Sequence, residues 1–292
     1  MKRRLVLAAG GTAVGAALLV SGCGGSGSEV RTDTMKLTAA EALARTSQKT
    51  GQADTFKADL TVTDNGEGGV RVKATGRFRL RPEPAASIRL TEASRGGRTI
   101  PEATGQAIFI GDVLYVKVPR GAQSLTGGRP WGKVDMDQAG SRLGVDVGEL
   151  VDQADKVNPA EQTRMFTASK DVRRVGTETV DGVETTRYTG TTTVREALDR
   201  LDPAAREKAR RWFPQATGNE RITFDLWVGK DYLPRKLRSR TTGGNGDRGG
   251  SVTILYSDYA KPFTVSPPPA DQVGEISLTN LFGGRRPAPP RN

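Results

Sequence analysis

The sequence predicts an α+β domain with a large, mainly antiparallel sheet and helices gathered on one face. Three observations support this fold class: long stretches in which apolar and polar residues alternate, short turn sequences between them, and helix-start motifs at a few places. Alternation with a period of two is typical of strands that have one buried and one solvated face. We count about ten such strands at hairpin spacing.

The first predicted helix begins at a capping box. Thr38 is the N-cap, Glu41 follows three residues later, and Gly51 ends the helix after Thr50. A strand over 56–63 and a glycine-rich turn lead to the clearest strand of the sequence. One side of that strand is apolar and the other is cationic, with Val70, Val72, Ala74, Gly76, Phe78 and Leu80 facing one way and Arg71, Lys73, Thr75, Arg77 and Arg79 the other.

The later strands repeat this pattern. Ile88 and Leu90 flank Arg89, and the pairs Gly111-Asp112 and Asp181-Gly182 predict tight hairpins within 108–118 and 172–193. Residues 222–228 alternate as a strand that includes Phe224. A last long hairpin joins 233–242 to 251–259.

Helices interrupt the strands at two places. A helical pair is predicted at 145–154 and 158–169, the second helix opened by Asn158 as N-cap. Thr193 and Glu196 form another capping box, and Pro203 restarts a helix that carries Ala205, Ala209, Trp212 and Phe213.

The N-terminus explains the single cysteine. A basic start precedes an Ala- and Gly-rich apolar stretch that ends at Val20-Ser21-Gly22-Cys23, followed by a glycine-serine tether. This pattern is similar to a bacterial lipobox, in which the cysteine receives a diacylglyceryl thioether. We therefore predict a signal peptide at 1–22, a tether at 23–35, one domain at 36–282 and a disordered Arg/Pro tail at 283–292.

Composition excludes several kinds of catalytic site. The 292 residues include no histidine and one cysteine, so histidine-based triads, imidazole zinc sites and an intrachain disulfide are impossible. The GxGxxG letters at 244–249 lie in a predicted hairpin turn with no helix after them, where they cannot hold a pyrophosphate. We expect no enzyme activity, catalytic residue, metal or cofactor.

The chain is strongly basic. Its formal charge is +11, and removal of Lys2, Arg3 and Arg4 with the signal peptide lowers this charge to +8. Either this positive charge keeps the protein soluble, or it binds the protein to an anionic membrane or a cell-wall polymer. Nucleic acid is not an expected partner. The candidate basic face comprises Arg71, Lys73, Arg77 and Arg79, with a second register formed by Lys236, Arg238 and Arg240.

The order of these features resembles the actinobacterial LolA-like lipoprotein superfamily, near the LppX/LprAFG type. The lipobox, the first helix leading to Phe56, and the segments 175–188, 225–235 and 256–259 carry the resemblance, which covers about 36–275. The resemblance implies an unclosed half-barrel sheet with helices over its concave face. It also implies that acyl chains of lipids or lipoproteins can lie between sheet and helices.

The residues and the resemblance lead to two readings of function. The first is a lipoprotein, anchored to the cell membrane on its extracytoplasmic side, that binds or transfers an acylated ligand as a monomer. The alternative is a cell-envelope interaction protein of the same fold with a filled core. Trp227, on the outward register of its strand, could stack on a sugar or make an edge or helix contact. The candidate lipid-pocket residues are Val72, Ala74, Gly76, Phe78, Ile88, Phe109 and Phe224.

Overall fold

The computed structural model describes residues 37–64, 68–135, 158–210, 218–242 and 249–276, apart from the side chains of Glu102 and Lys208. Four α-helices lie in these ranges: α1 Ala39–Thr50, α2 Pro159–Phe166, α3 Val194–Leu198 and α4 Pro203–Arg210. The described strands are β1 Thr55–Asp64, β2 Val70–Arg79, β3 Ala85–Arg95, β4 Arg98–Thr99, β5 Gly105–Ile110, β6 Val113–Lys117, β7 Trp131–Asp135, β8 Arg173–Val180, β9 Val183–Thr193, β10 Arg221–Gly229, β11 Pro234–Thr242, β12 Gly250–Ser257 and β13 Val273–Glu275.

All described strands belong to one sheet. Its order is β13-β7-β6-β5-β3-β2-β1-β12-β11-β10-β9-β8, and β4 pairs with β3. Every pairing is antiparallel except that of β13 with β7, which is parallel. The two end strands, β8 and β13, do not pair with each other, so the sheet is large and unclosed as the sequence predicts.

The helices form because their first turns are capped. Thr38 and Glu41 make both hydrogen bonds of a capping box at α1, and Thr193 and Glu196 do the same at α3. The side chain of Asn158 accepts a hydrogen bond from the backbone of α2. Helices α1, α2 and α3 lie against β8 and β9. We call the side of the sheet that they cover the inner face and the opposite side the outer face.

The predicted helices that fall within the described ranges are confirmed. The predicted helix at 145–154, the residues Trp212 and Phe213, the lipobox and the Arg/Pro tail lie outside those ranges. The thirteen strands of the described ranges exceed the predicted ten because β4, β7 and β13, which are two, five and three residues long, were not expected. Within the described residues, no helix is long and apolar enough to cross a membrane.

Candidate functional site

Half of the inner face is closely packed. The rings of Phe224 on β10 and Phe166 on α2 stack with their centroids 4.4 Å apart, and Phe56 stacks on Phe78 at 5.0 Å. Leu43 of α1 belongs to the same buried cluster. Because aromatic side chains bury large apolar areas, the first stack holds α2 against β10 and the second joins β1 to β2.

Two glycines of the inner face are covered by these aromatic rings. A Cβ atom added at Gly76 would lie 2.7 Å from the ring of Phe78, and one added at Gly190 would lie 2.9 Å from the ring of Phe224. Such distances are shorter than any real Cβ contact, so the glycines are present because the rings occupy the space above them. In this half, small residues mark close packing.

The other half of the inner face is apolar but only half-buried. One row of apolar residues crosses both halves, and each of its members lies directly opposite the next on the neighbouring strand. In order, the row is Leu226, Leu237, Ile254, Leu60, Ala74 and Leu90. The first three side chains are at most 1% exposed, whereas the last three are half-buried. We call the half-buried part the open apolar face; besides Leu90 and Ala74 it comprises Val62, Val72, Ala107, Leu114 and Val116.

The structure divides the predicted pocket residues into three groups. Phe78 and Phe224 lie in the packed cluster, and Gly76 lies under the ring of Phe78. Ile88 and Phe109 are half-buried at the border of that cluster. Val72 and Ala74 lie on the open apolar face. Contact of these residues with a lipid stays a prediction.

The predicted cationic registers both lie on the outer face. Strands β2 and β11 are separated by β12 and β1, so their cations lie on either side of the outward side chains of those two strands. Arg71 and Lys73 share Glu92, at 3.3 Å and 2.5 Å, and the hydrogen bond from Lys73 holds the pKa of Glu92 below its ordinary value. Arg238 and Arg240 are exposed and make no ion pair with a described residue.

Trp227 lies on the outer face, as its register predicts, but it is buried there, which the sequence does not predict. Its ring, 4% exposed, lies beneath the guanidinium of Arg187 at 5.1 Å and the ammonium of Lys236 at 4.6 Å. Its Nε1 donates a hydrogen bond to the carboxylate of Glu178 at 2.8 Å. This hydrogen bond and the one from Arg187 lower the pKa of Glu178. The interaction of both cations with the ring stabilises the outer face here.

Two surfaces formed by the described residues are candidate binding sites. Among these residues, no group of three or more Cys, Asp or Glu side chains could hold a metal ion. Cys23, the predicted lipidation site, lies outside the described ranges. The two surfaces that remain are the open apolar face within the sheet and the cationic outer face.

Sequence comparison finds relatives in Streptomyces. No family model matches the chain. An uncharacterised 31.2 kDa protein of the rplA-rplJ intergenic region of Streptomyces griseus is 27% identical over 254 residues, which are 84% of this chain and 82% of the relative. SCO4650 of Streptomyces coelicolor, provisionally named a lipoprotein, is 26% identical over 248 residues, which are 81% of this chain and 75% of the relative.

Comparison with solved structures identifies the fold. LprF from Mycobacterium bovis matches with a TM-score of 0.51 at 15% identity, over 79% of this chain and 96% of LprF. LppX from Mycobacterium tuberculosis matches with a TM-score of 0.46 at 18% identity, over 78% of this chain and 98% of LppX. The likeness to LprF confirms the resemblance on which the sequence prediction rests: the chain has the fold of the actinobacterial LolA-like lipoproteins.

Proposed function

We propose that this LolA-like protein is a lipoprotein of the extracytoplasmic side of the cell membrane that binds an acylated ligand on its open apolar face. The anchor is a diacylglyceryl group on Cys23, and the protein works without metal, cofactor or catalysis. The relatedness to a Streptomyces protein named a lipoprotein supports the anchor. The ligand is the acyl chain of a lipid, which the protein holds or transfers.

The half-buried part of the apolar row on the inner face carries this proposal. Leu60, Ala74 and Leu90 continue a row whose other members are fully buried under the helix layer. A contiguous apolar patch that stays partly exposed marks a binding site more often than a free surface. Each methylene that such a patch removes from water contributes about 0.8 kcal/mol, so an acyl chain is well matched to it.

The first test is extraction of the purified full chain with organic solvent, followed by mass spectrometry. We expect an acyl lipid to co-purify with the wild-type chain. Ala74→Phe fills the open apolar face and should reduce the amount of lipid several-fold with little change in melting temperature, because Ala74 is half-buried. Thr75→Phe is the matched control, since Thr75 lies next to Ala74 on the outer face; this variant should keep the lipid.

The position of Gly76 makes it unsuitable for this test. A side chain there collides with Phe78 whether or not a lipid is present. Absence of lipid from the wild-type chain, together with a marked loss of stability in Ala74→Phe, would contradict the proposal and favour a filled core.

A second test concerns the anchor. Cys23→Ser removes the sulfur that would carry the lipid, so the full chain should either leave the membrane fraction or remain unprocessed. Two acyl chains are needed for stable anchoring, which makes the effect of this substitution large. Normal processing and unchanged membrane fractionation of the variant would contradict lipidation at Cys23.

Binding of the outer face to an anionic surface is a second candidate function. It is favoured by Arg238 and Arg240, which are exposed without an ion pair among the described residues. Cations near an anionic leaflet contribute about 1 kcal/mol each, and salt screens this attraction. Full-length Cys23→Ser protein should therefore bind anionic vesicles at low salt and lose binding when both arginines become Glu. Equal binding to neutral vesicles would contradict this candidate.

A further inference from the structure

A small cleft lies at the end of the sheet where β1 begins and β2 and β12 end. Its volume is about 220 Å³, and Phe56, Pro262 and Phe263 form its apolar wall. Typical sites for drug-sized ligands measure about 300–1,000 Å³, so this cleft suits a small molecule or one end of a larger one. It is distinct from the open apolar face, because Lys57 and Arg77, which line it, belong to the outer face.

Three cations converge on this cleft. Lys57 and Arg77 lie directly opposite each other on β1 and β2, and Lys261 lies on the neighbouring turn. Like charges at directly opposite positions destabilise a sheet, so this pair calls for an anion nearby. Arg77 is exposed and makes no ion pair with any residue in the described ranges.

The carboxylate present in the cleft offsets only part of this charge. Asp258 accepts a hydrogen bond from Lys261 at 2.6 Å. That bond, with the positive charges of Lys57 and Arg77, holds the pKa of Asp258 below its ordinary value. Lys57 also pairs with Asp59 at 3.0 Å. The guanidinium of Arg77 therefore remains available for an additional anion.

The backbone of the turn is fixed in an unusual conformation. Asp258 and Ala260 both have φ of 54°, in the left-handed region that alanine rarely adopts. The amide of Ala260 donates to the carbonyl of Thr55 at 3.0 Å, and the hydroxyl of Thr55 donates to the carbonyl of Lys261 at 3.0 Å. Strained residues that the surrounding structure holds in place often occur at binding sites, because they orient the groups that contact a ligand.

We propose that this cleft binds a small organic anion, a phosphate group attached to an apolar body, with Arg77 and Lys57 on the phosphate and Phe263 against the apolar part. A guanidinium binds phosphate through paired, charge-assisted hydrogen bonds, and the adjacent ammonium adds a point charge. The volume of the cleft excludes a folded polymer. This site is independent of the acyl ligand on the inner face.

The test is calorimetric titration of the detergent-solubilised full chain with phenyl phosphate and with inorganic phosphate at low salt. Phenyl phosphate should bind more tightly than phosphate, and Phe263→Ala should remove that difference. Because a charge-assisted bidentate contact is lost, Arg77→Gln should weaken phenyl phosphate binding by about tenfold or more. The matched control is Arg71→Gln, an exposed arginine on the same strand and face, which should leave binding unchanged.

A third titration, with dihexanoyl phosphatidic acid, identifies the source of the phosphate. Tighter binding than phenyl phosphate, lost in Arg77→Gln, would assign the cleft to a lipid head group, and weaker binding would assign it to a free phosphate ester. Failure of wild-type protein to bind any of the three probes would overturn the proposal, as would an equal loss in Arg71→Gln and Arg77→Gln. Neither of these two results affects whether a lipid co-purifies with the chain. The cleft proposal can therefore be wrong while the proposed function is right, and the reverse.

Discussion

The two halves of the inner face consist of the same kinds of apolar residue, but these residues are fully buried in one half and only half-buried in the other. In the packed half, Leu226, Leu237 and Ile254 lie under the helix layer and are at most 1% exposed. Leu60, at the border of the packed cluster, and Leu90, in the open half, continue the same row of the sheet but remain half-buried. Apolar character alone therefore does not determine burial here. What differs, within the described ranges, is whether helices and aromatic rings cover the row.

The glycines of the inner face show the same difference between the two halves. Gly190 in the packed half has the ring of Phe224 and the hydroxyl of Ser169 directly above it. Gly105, which faces Leu90 in the open half, has no atom of a described residue within 4 Å of the position that a Cβ would take. Among the described residues, a glycine on the inner face thus lies under a filled space in one half and under no close neighbour in the other.

The largest expected difference between the halves is the cost of removing a leucine. Leu226→Ala should lower the free energy of unfolding by about 3 kcal/mol, since it leaves a cavity that the packed surroundings cannot fill. Leu90→Ala should cost about 1 kcal/mol or less, because the side chain is already partly solvated and leaves no closed cavity. Urea unfolding of the lipid-free chain measures both values. Equal losses would show that the open half is packed as closely as the other.

Much of the fold was predictable because it is encoded locally. The alternation of Ile222, Phe224 and Leu226 on β10 and the turn at Asp181-Gly182 each lie within a few residues, and the structure confirms both. The capping boxes at Thr38 and Thr193 are confirmed for the same reason. Strand β13 was not predicted, since it has three residues and pairs in parallel with β7, more than a hundred residues earlier.

The site was less predictable because coverage depends on distant partners. Alternation places Phe78 and Ala74 on one face of β2, and the structure agrees. It cannot show that Phe78 stacks on Phe56 while Ala74 stays half-exposed. Likewise, the register placed Trp227 outward, but its burial follows from cations on both neighbouring strands. That neighbourhood requires the strand order β9-β10-β11, which a single strand does not encode.

A glycine substitution in each half gives the next largest difference. The added methyl in Gly190→Ala meets Ser169 Oγ at 2.5 Å and the Phe224 ring at 2.9 Å, so overpacking should cost about 1–3 kcal/mol. The added methyl in Gly105→Ala meets no atom in the part of the chain that the structure describes, and by reducing the freedom of the unfolded chain it should be neutral or stabilising by about 0.5 kcal/mol. Thermal unfolding compares the two variants with the wild-type chain. A loss of stability in Gly105→Ala as large as in Gly190→Ala would mean that the open half is filled.

The smallest expected effect is a dependence of the packed half on pH. Glu196 accepts hydrogen bonds from Lys170 at 2.9 Å and from the backbone and hydroxyl of Thr193 at 3.1 Å, and these lower its pKa from 4.5 to about 2. A carboxyl whose pKa is depressed by folding contributes stability above its unfolded pKa and loses it as the pH falls. The contribution of Glu196 is therefore complete above about pH 5 and declines towards pH 2.

Glu196→Gln tests this contribution in the helix layer. The glutamine can still accept hydrogen bonds from Thr193 but carries no charge for Lys170, so the melting temperature should fall at pH 7 and approach that of the wild-type chain near pH 2. Glu207→Gln, at an exposed glutamate of α4, is the matched control and should follow the wild-type pH profile. If Glu196→Gln and the wild-type chain differ by the same amount at both pH values, the charge on Glu196 does not stabilise the start of α3.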